Sequence, residues 1–317
     1  MTTEVAKTKV IKAKQRPGDR NFSWGAYGAG ILILAILAAV ALFLLSRGLP
    51  GILATPEDAE ILGSRNFWEY VGPLVFGTIW SAALAMVFAV PFSIGIALFI
   101  SHYAPRRLAA VLGYVVDLLA AVPSVVFGLW GILVFAPAVV PVYSWLVDNL
   151  GWIPLFTGPV AQSGRTILTA ALVLAVMVLP IITAVCREVF LQTPKLHEEA
   201  ALALGATRWE MIRMAVLPFG RPGIISAAML GLGRALGETM AVAMVLSASG
   251  VVSFQLLTTT NPSTIPANIA LKFGEAGFGP NINVLIGTGL ILFVITFAVN
   301  ALARWIVNRR KDFSGAN

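Results

Sequence analysis

Six long apolar stretches, separated by polar segments, organise this chain. Each has roughly the 20 or more residues that an α-helix needs to cross a hydrocarbon core about 30 Å thick. The alternation of apolar and polar residues that membrane β-barrel strands show is absent from them. Because backbone polar groups must be satisfied within lipid, the pattern predicts an all-α polytopic membrane protein with about six transmembrane helices, at 24–45, 74–100, 108–135, 166–186, 222–248 and 283–307.

The segments outside these spans are of three kinds. Residues 1–23 form a basic tail, and the apolar run that follows it is too long for a cleavable signal peptide, so it is predicted to remain as the first span. Residues 308–317 form a second tail. The piece 136–152 is semi-apolar and contains Pro137 and Pro141, and its sequence fits a re-entrant or an interfacial segment.

Composition supports a membrane protein and excludes several other classes. Of the 317 residues, 58% are hydrophobic and only 12% are charged, whereas an ordinary soluble domain carries roughly 25% charged residues. The single cysteine, Cys186, excludes an internal disulfide framework, and the two isolated histidines, His102 and His197, make no metal-binding set. We therefore expect neither a disulfide scaffold nor a metal centre.

The positive charge is distributed as expected for membrane orientation. The formal net charge is +7, but the basic residues lie at the edges of apolar spans rather than along one polar face, so no nucleic-acid partner is indicated. With the N-terminus inside, most of the Lys and Arg residues fall on the inner side. Both termini are thus predicted to be cytoplasmic, with membrane lipid around the spans.

The segment 187–221 is longer than a connection between two helices requires. Pro194 marks a helix start, and Gly205 is placed to end that helix in a left-handed conformation. Thr207 and Glu210 then form a capping box that opens a second short helix, which Pro218 is expected to end. The pattern predicts a small helical knob with an apolar centre and a charged rim, suited to binding another protein.

Two charged residues lie inside the fifth predicted span. Placing a charge in mid-bilayer costs roughly 2.5–3.5 kcal/mol, so such residues are expected to face the bundle interior and to have a function. Arg234 and Glu238 are four residues apart, share one helix face and can pair. Because a guanidinium stays charged and presents a planar fork of donors, Arg234 suits an oxyanion path, where Glu238 would repel a bound dianion and so favour its release. A purely structural ion pair is the alternative.

Two further residues are candidates for the path. Asp117 lies within the third predicted span and can pair with Arg234 across helices or line the path. Ser124 follows Pro123, whose missing N–H frees a backbone carbonyl. The Ser124 hydroxyl would touch the solute, or it would only pack or bond back to its own helix.

The knob carries a resemblance to a known family. The stretch Glu199-Ala200-Ala201, then Gly205, then Leu217-Pro218 resembles the EAA loop of ABC-importer permeases. In that family the loop fits a cleft in the ATPase subunit and carries its closure into the membrane, which implies an ATPase-coupling role for these residues here. The family usually has an aliphatic Ile two residues before the Leu-Pro pair, where this chain has Ala215.

Two membrane segments extend the resemblance. Residues 122–131 and 231–242 resemble the PstC-type permeases of the high-affinity phosphate ABC importer, and the resemblance covers nearly the whole chain. It implies a bundle like that of type I ABC importer permeases, in the plasma (inner) membrane of a prokaryote, with Arg234 and Glu238 important for phosphate movement. It also implies a sister permease of the PstA type, a pair of PstB-type ATPases and an external PstS-type phosphate-binding protein.

Energy for transport is expected to come from a partner. The sequence contains no G-x-x-x-x-G-K-[ST] loop to cradle nucleotide phosphates. We therefore expect no enzyme activity and no cofactor on this chain, with ATP and Mg bound by the partner ATPase. A permease for another oxyanion, sulfate or molybdate, and a secondary transporter driven by an ion gradient are the alternative functions.

Overall fold

The computed structural model describes residues 17–311, so residues 1–16 and 312–317 of the predicted tails lie outside the described part. Within it the chain is helical, and the only β-type pairing is an isolated bridge between Ala248 and Asn261. Six helical stretches of the described chain are long and apolar enough to cross a membrane, which confirms the all-α fold class: Asn21–Ile52, Phe67–Tyr103, Ser124–Leu150, Ile167–Leu191, Arg208–Leu236 and Pro280–Trp305.

Three spans form the centre of the bundle. Helix α6 (Ile167–Leu191) is the most buried span and packs against α2 (Phe67–Leu98) and α9 (Leu217–Leu236). Small residues allow the close approach, as is common between membrane helices: a Cβ added to Gly231 on α9 would lie 2.6 Å from Cδ1 of Ile182 on α6. The spacing of α9 from α6 is therefore set by glycine.

A peripheral pair flanks this centre. Helix α1 (Pro17–Ile52) packs along α12 (Pro280–Lys311), and a Cβ on Gly48 would lie 3.3 Å from the Cα of Gly287. Apart from that seam, α1 exposes most of its apolar side chains. An apolar helix of this kind must be covered by lipid or by another membrane protein.

The third span differs from its predicted bounds of 108–135. The first part of that range belongs to a separate helix, α3 (Arg106–Ala120), and the chain breaks at 121–123 because Pro123 lacks an N–H and disfavours helical backbone just before it. The span itself consists of α4 (Ser124–Trp130), one π-helical turn and α5 (Ala136–Leu150). The piece 136–152 is thus mostly the second half of a span and not a separate re-entrant segment.

The connection between the fifth and sixth spans is a partly buried structure that sequence reasoning missed. The short helix α10 (Met240–Val245) is followed by the irregular segment 246–264 and by α11 (Ile265–Lys272). The fully buried Asn261 organises this segment: its Oδ1 accepts from the Ile167 N–H, and its Nδ2 donates to the carbonyl oxygens of Arg165, Ser247 and Thr258. One amide side chain therefore ties together segments nearly 100 residues apart in sequence.

Candidate functional site

Arg234 lies in the last turn of α9 and lines an open groove between α9 and α12. The groove is a cavity of about 860 Å³ whose lining also includes Ser226, Asn300 and Arg304. The Arg234 side chain is exposed and has no hydrogen bond or ion pair with any described residue. Because a guanidinium carries five N–H donors in a planar fork, the structure leaves Arg234 able to bind an oxyanion edge.

Glu238 does not pair with Arg234, and the predicted contact is wrong. The fifth span was expected to continue to about residue 248, but α9 ends at Leu236, so the four-residue spacing no longer places the two side chains on one helix face. Glu238 is only 8% exposed, and its Oε1 accepts the backbone N–H of Ala241 at 3.0 Å. The carboxylate therefore caps α10 and leaves the guanidinium free.

Asp117 lies outside the six spans, in α3, where the structure does not bring it to Arg234. Its Oδ2 lies 3.8 Å from Nη2 of Arg187, and the same nitrogen donates to Oε1 of Glu188 at 2.9 Å. Arg187 lies in the last turns of α6, at the end of the bundle that carries the knob. The proposed cross-helix partner of Arg234 is thus a partner of Arg187, because Pro123 separates α3 from the third span.

Ser124 is the first residue of α4, which packs against α10, the short helix that follows Glu238. Helices α4 and α10 run parallel, and the register follows from two close approaches. A Cβ added to Gly128 would lie 3.0 Å from the Cα of Ala241, and a Cβ added to Gly131 would lie 2.8 Å from Cγ2 of Val245. The Ser124 hydroxyl is half-buried and makes no hydrogen bond within residues 17–311.

The knob has the two short helices that the sequence predicts. Helix α7 runs over Lys195–Ala203, and Gly205 follows it with φ +86°. The N–H groups of Gly205 and Ala206 donate to the carbonyls of Leu202 and Ala201, the two-bond arrangement that closes a helix C-terminus. Because a left-handed backbone favours glycine, the helix end depends on Gly205.

The second knob helix, α8 (Arg208–Met211), begins with the predicted capping box. The Thr207 N–H donates to Glu210 at 2.7 Å, and the Glu210 N–H donates back to Thr207 Oγ1 at 3.3 Å. Pro218 does not end this helix, contrary to the prediction. One π-helical turn, Ile212–Val216, joins α8 to α9, so the knob continues directly into the fifth span. Pro218 is tolerated because it lies in the first turn of α9.

The knob presents an apolar surface while its base is anchored. Ile212 and Val216 are fully buried in the bundle core, whereas Leu204 is 90% exposed and Leu196 and Trp209 are also exposed. The EAA-type residues divide in the same way. Glu199, Ala200, Gly205 and Pro218 are exposed, and Ala201 and Leu217 are half-buried against the core: the exposed members are the ones that another protein could reach.

Comparison with known proteins decides the family. A profile of the family described as "Binding-protein-dependent transport system inner membrane component" matches residues 89–312, which include the knob and the fifth and sixth spans. The chain belongs to this family. The match covers the greater part of the chain, so it applies to the bundle as a whole rather than to one motif.

Curated relatives extend the similarity to almost the full length. The chain is 45% identical to "Phosphate transport system permease protein PstC 2" of Mycobacterium tuberculosis, over 96% of this chain and 98% of that protein. It is 39% identical to "Phosphate transport system permease protein PstC" of Xylella fastidiosa, over 95% of this chain and 97% of that protein. These relatives are named PstC, which agrees with the resemblance of residues 122–131 and 231–242 to PstC-type permeases.

Solved structures support the fold of this inner membrane component. A bacterial ABC transporter involved in the import of the acidic polysaccharide alginate matches with a TM-score of 0.57 at 18% identity, covering 91% of this chain and 99% of that one. An inward-facing MetNI methionine ABC transporter matches with a TM-score of 0.51 at 19% identity, covering 75% of this chain and 93% of that one. The bundle is thus that of ABC importer permeases.

One contact between the knob and a span was not foreseen. His102 ends the second span, is 9% exposed at its side chain, and places Nε2 3.5 Å from Oε1 of Glu198 on α7. Its Nδ1 lies 2.7 Å from the Ser101 hydroxyl. No local sequence signal indicates this contact, because the two residues are 96 positions apart. In this inner membrane component, the pair connects the knob to the second span.

Proposed function

We propose that this chain is the channel-forming permease subunit of an ATP-driven importer that moves inorganic phosphate across the plasma membrane of a prokaryote. The observation that carries the proposal is the guanidinium of Arg234, which pairs with no described residue and lines the groove between α9 and α12. The chain also aligns over 96% of its length with a protein named as a phosphate permease. A free guanidinium fork recognises phosphate oxygens and cannot lose its charge.

The proposed path uses two charges of opposite sign with different tasks. Arg234 attracts the anion. Glu238, held by the Ala241 N–H, carries a negative charge four residues further along the chain. Transport requires a site that an ion can enter and also leave. Repulsion between Glu238 and the dianion keeps affinity low enough for release. Ser124, whose hydroxyl has no hydrogen-bond partner among the described residues, can donate a hydrogen bond.

The proposed partners follow from the two ends of the helix bundle. The exposed face of the knob, including Glu199, Ala200 and Gly205, docks on a pair of PstB-type ATPases, which bind ATP and Mg in place of this chain. That assignment makes both termini cytoplasmic. A PstA-type permease completes the path, and a PstS-type binding protein delivers phosphate at the opposite face. Because the π-helical turn joins the knob to α9, movement of the knob reaches the helix that carries Arg234.

The test is uptake of labelled phosphate into membrane vesicles that contain the chain and its co-expressed partners. We expect uptake that depends on ATP and that arsenate but not sulfate or molybdate competes away. Competition by sulfate or molybdate would assign another oxyanion as the solute. Uptake driven by an ion gradient without ATP or partner subunits would replace the proposal with a secondary transporter.

A further inference from the structure

The groove beside Arg234 contains a second cationic residue. Arg304 and Asn300 lie four residues apart on α12, so they share one helix face, and both line the groove with exposed side chains. Span five runs away from the knob and span six returns toward it, so Arg304, near the end of the sixth span, lies at the knob end. The groove therefore has a guanidinium on α12 in addition to the one on α9.

Among the described residues, the groove offers no negative partner for these two cations. None of its lining residues is acidic. The nearest carboxylate in sequence to Arg234, that of Glu238, is committed to the Ala241 N–H, and that of Asp117 lies beside Arg187. Two guanidinium groups in a lining without a carboxylate make the groove electropositive, so it favours an anion. The charge pattern by itself indicates an anionic ligand.

The polar groups extend along the groove. Ser226 precedes Arg234 by eight residues on α9, which is about 12 Å of helix rise, so the lining continues well toward the knob end. The Ser226 hydroxyl donates to the Pro222 carbonyl at 2.9 Å and is not a free donor. The donors available toward the knob end are thus the Asn300 amide and the Arg304 guanidinium. The volume of about 860 Å³ falls in the usual range of small-molecule sites.

We propose that Arg304, assisted by Asn300, forms a second binding station for a phosphate group, between Arg234 and the knob end of the groove. As a station for the transported solute it rests on the proposed function, since it would hold phosphate as it moves from Arg234 toward the knob side of the membrane. A phospholipid headgroup presents the same tetrahedral chemistry. Free phosphate and a lipid headgroup would both bind the same guanidinium fork. If the ligand is free phosphate, transport depends on Arg304; if it is a headgroup, the amount of bound lipid depends on Arg304.

The experiment uses the whole complex with its partner subunits. In proteoliposomes of neutral phosphatidylcholine, ATP-driven uptake of labelled phosphate is measured for wild type, Arg304→Gln, Arg304→Lys and Asn300→Ala. Native mass spectrometry of the same purified complexes counts bound phosphatidylglycerol. Arg107→Gln is the matched control, because it also removes one exposed positive charge from the knob end but does not line this groove.

For a solute station, Arg304→Gln raises the KM for phosphate about tenfold or more, as expected for the loss of charge-assisted hydrogen bonds. Arg304→Lys, which keeps the charge without the fork, lies between Arg304→Gln and wild type, and Asn300→Ala raises KM a few-fold. For a headgroup station, Arg304→Gln loses bound phosphatidylglycerol while its uptake in neutral lipid equals that of wild type. Arg107→Gln changes neither readout.

The proposal is overturned if Arg304→Gln and Asn300→Ala match wild type in both readouts. Asn300→Ala keeps the charge balance of the span, so it decides the matter if Arg304→Gln fails to assemble with the ATPase. Failure of the proposed function has a different signature: the wild-type complex itself then shows no ATP-driven phosphate uptake.

Discussion

Replacing Gly205 with Ala should weaken docking of the partner ATPase mainly by straining the backbone that ends α7. Gly205 has φ +86°, and nothing lies within 4 Å of an added Cβ, so the cost of the substitution is purely conformational. A left-handed L-residue costs roughly 1–2 kcal/mol. If ATPase binding requires the closed end of α7, that cost lowers affinity by a factor of about 5–30.

The assay is titration of the purified ATPase onto detergent-solubilised permease complex, with wild type, Gly205→Ala and Gly205→Asn compared. Asn tolerates the left-handed region better than Ala although its side chain is larger. We therefore expect the affinity order wild type, then Asn, then Ala. Equal affinities for all three would show that the helix end does not matter for docking. If the Asn variant binds more weakly than the Ala variant, side-chain size at the docking surface outweighs the backbone conformation, which contradicts the conformational argument.

Two other regions give independent tests. Asn261→Ala leaves the Ile167 N–H without its acceptor and should cost on the order of 3 kcal/mol, seen as a lower melting temperature in detergent; an unchanged melting temperature would contradict the tie formed by this amide. His102→Ala and Glu198→Gln should each lower phosphate uptake per ATP hydrolysed, by at most about fivefold, and the double variant should be no worse than either alone. Additive losses would show that the two residues act separately.

The knob was predictable because its determinants are local. A capping box needs only Thr207 and Glu210 three residues apart, and a helix end needs only a glycine at the correct position. The number of spans was predictable for a similar reason, since hydrocarbon thickness sets the length of each apolar run. The bounds of the third span were missed because the apolar run continues on both sides of Pro123, whereas the helix breaks at that residue.

The pairings of charged residues were predicted less well, since they depend on packing over long sequence distances. Arg234 and Glu238 have the correct spacing for a helical pair, but α9 ends at Leu236. The Glu238 carboxylate therefore accepts the Ala241 N–H in α10 instead. Asp117 meets Arg187, 70 residues away, once α3 folds against α6. The four hydrogen bonds of Asn261 join segments that carry no common sequence pattern.

The account depends above all on the exposed guanidinium of Arg234, and one comparison tests it. ATP-driven phosphate uptake is measured in proteoliposomes that contain the full complex with wild type, Arg234→Lys or Arg234→Gln, alongside ATPase co-purification. We predict that Arg234→Gln loses about 100-fold or more in uptake and that Arg234→Lys, which keeps the charge but not the planar fork, loses about tenfold, with ATPase bound as in wild type. Uptake by Arg234→Gln at the wild-type rate would contradict the account.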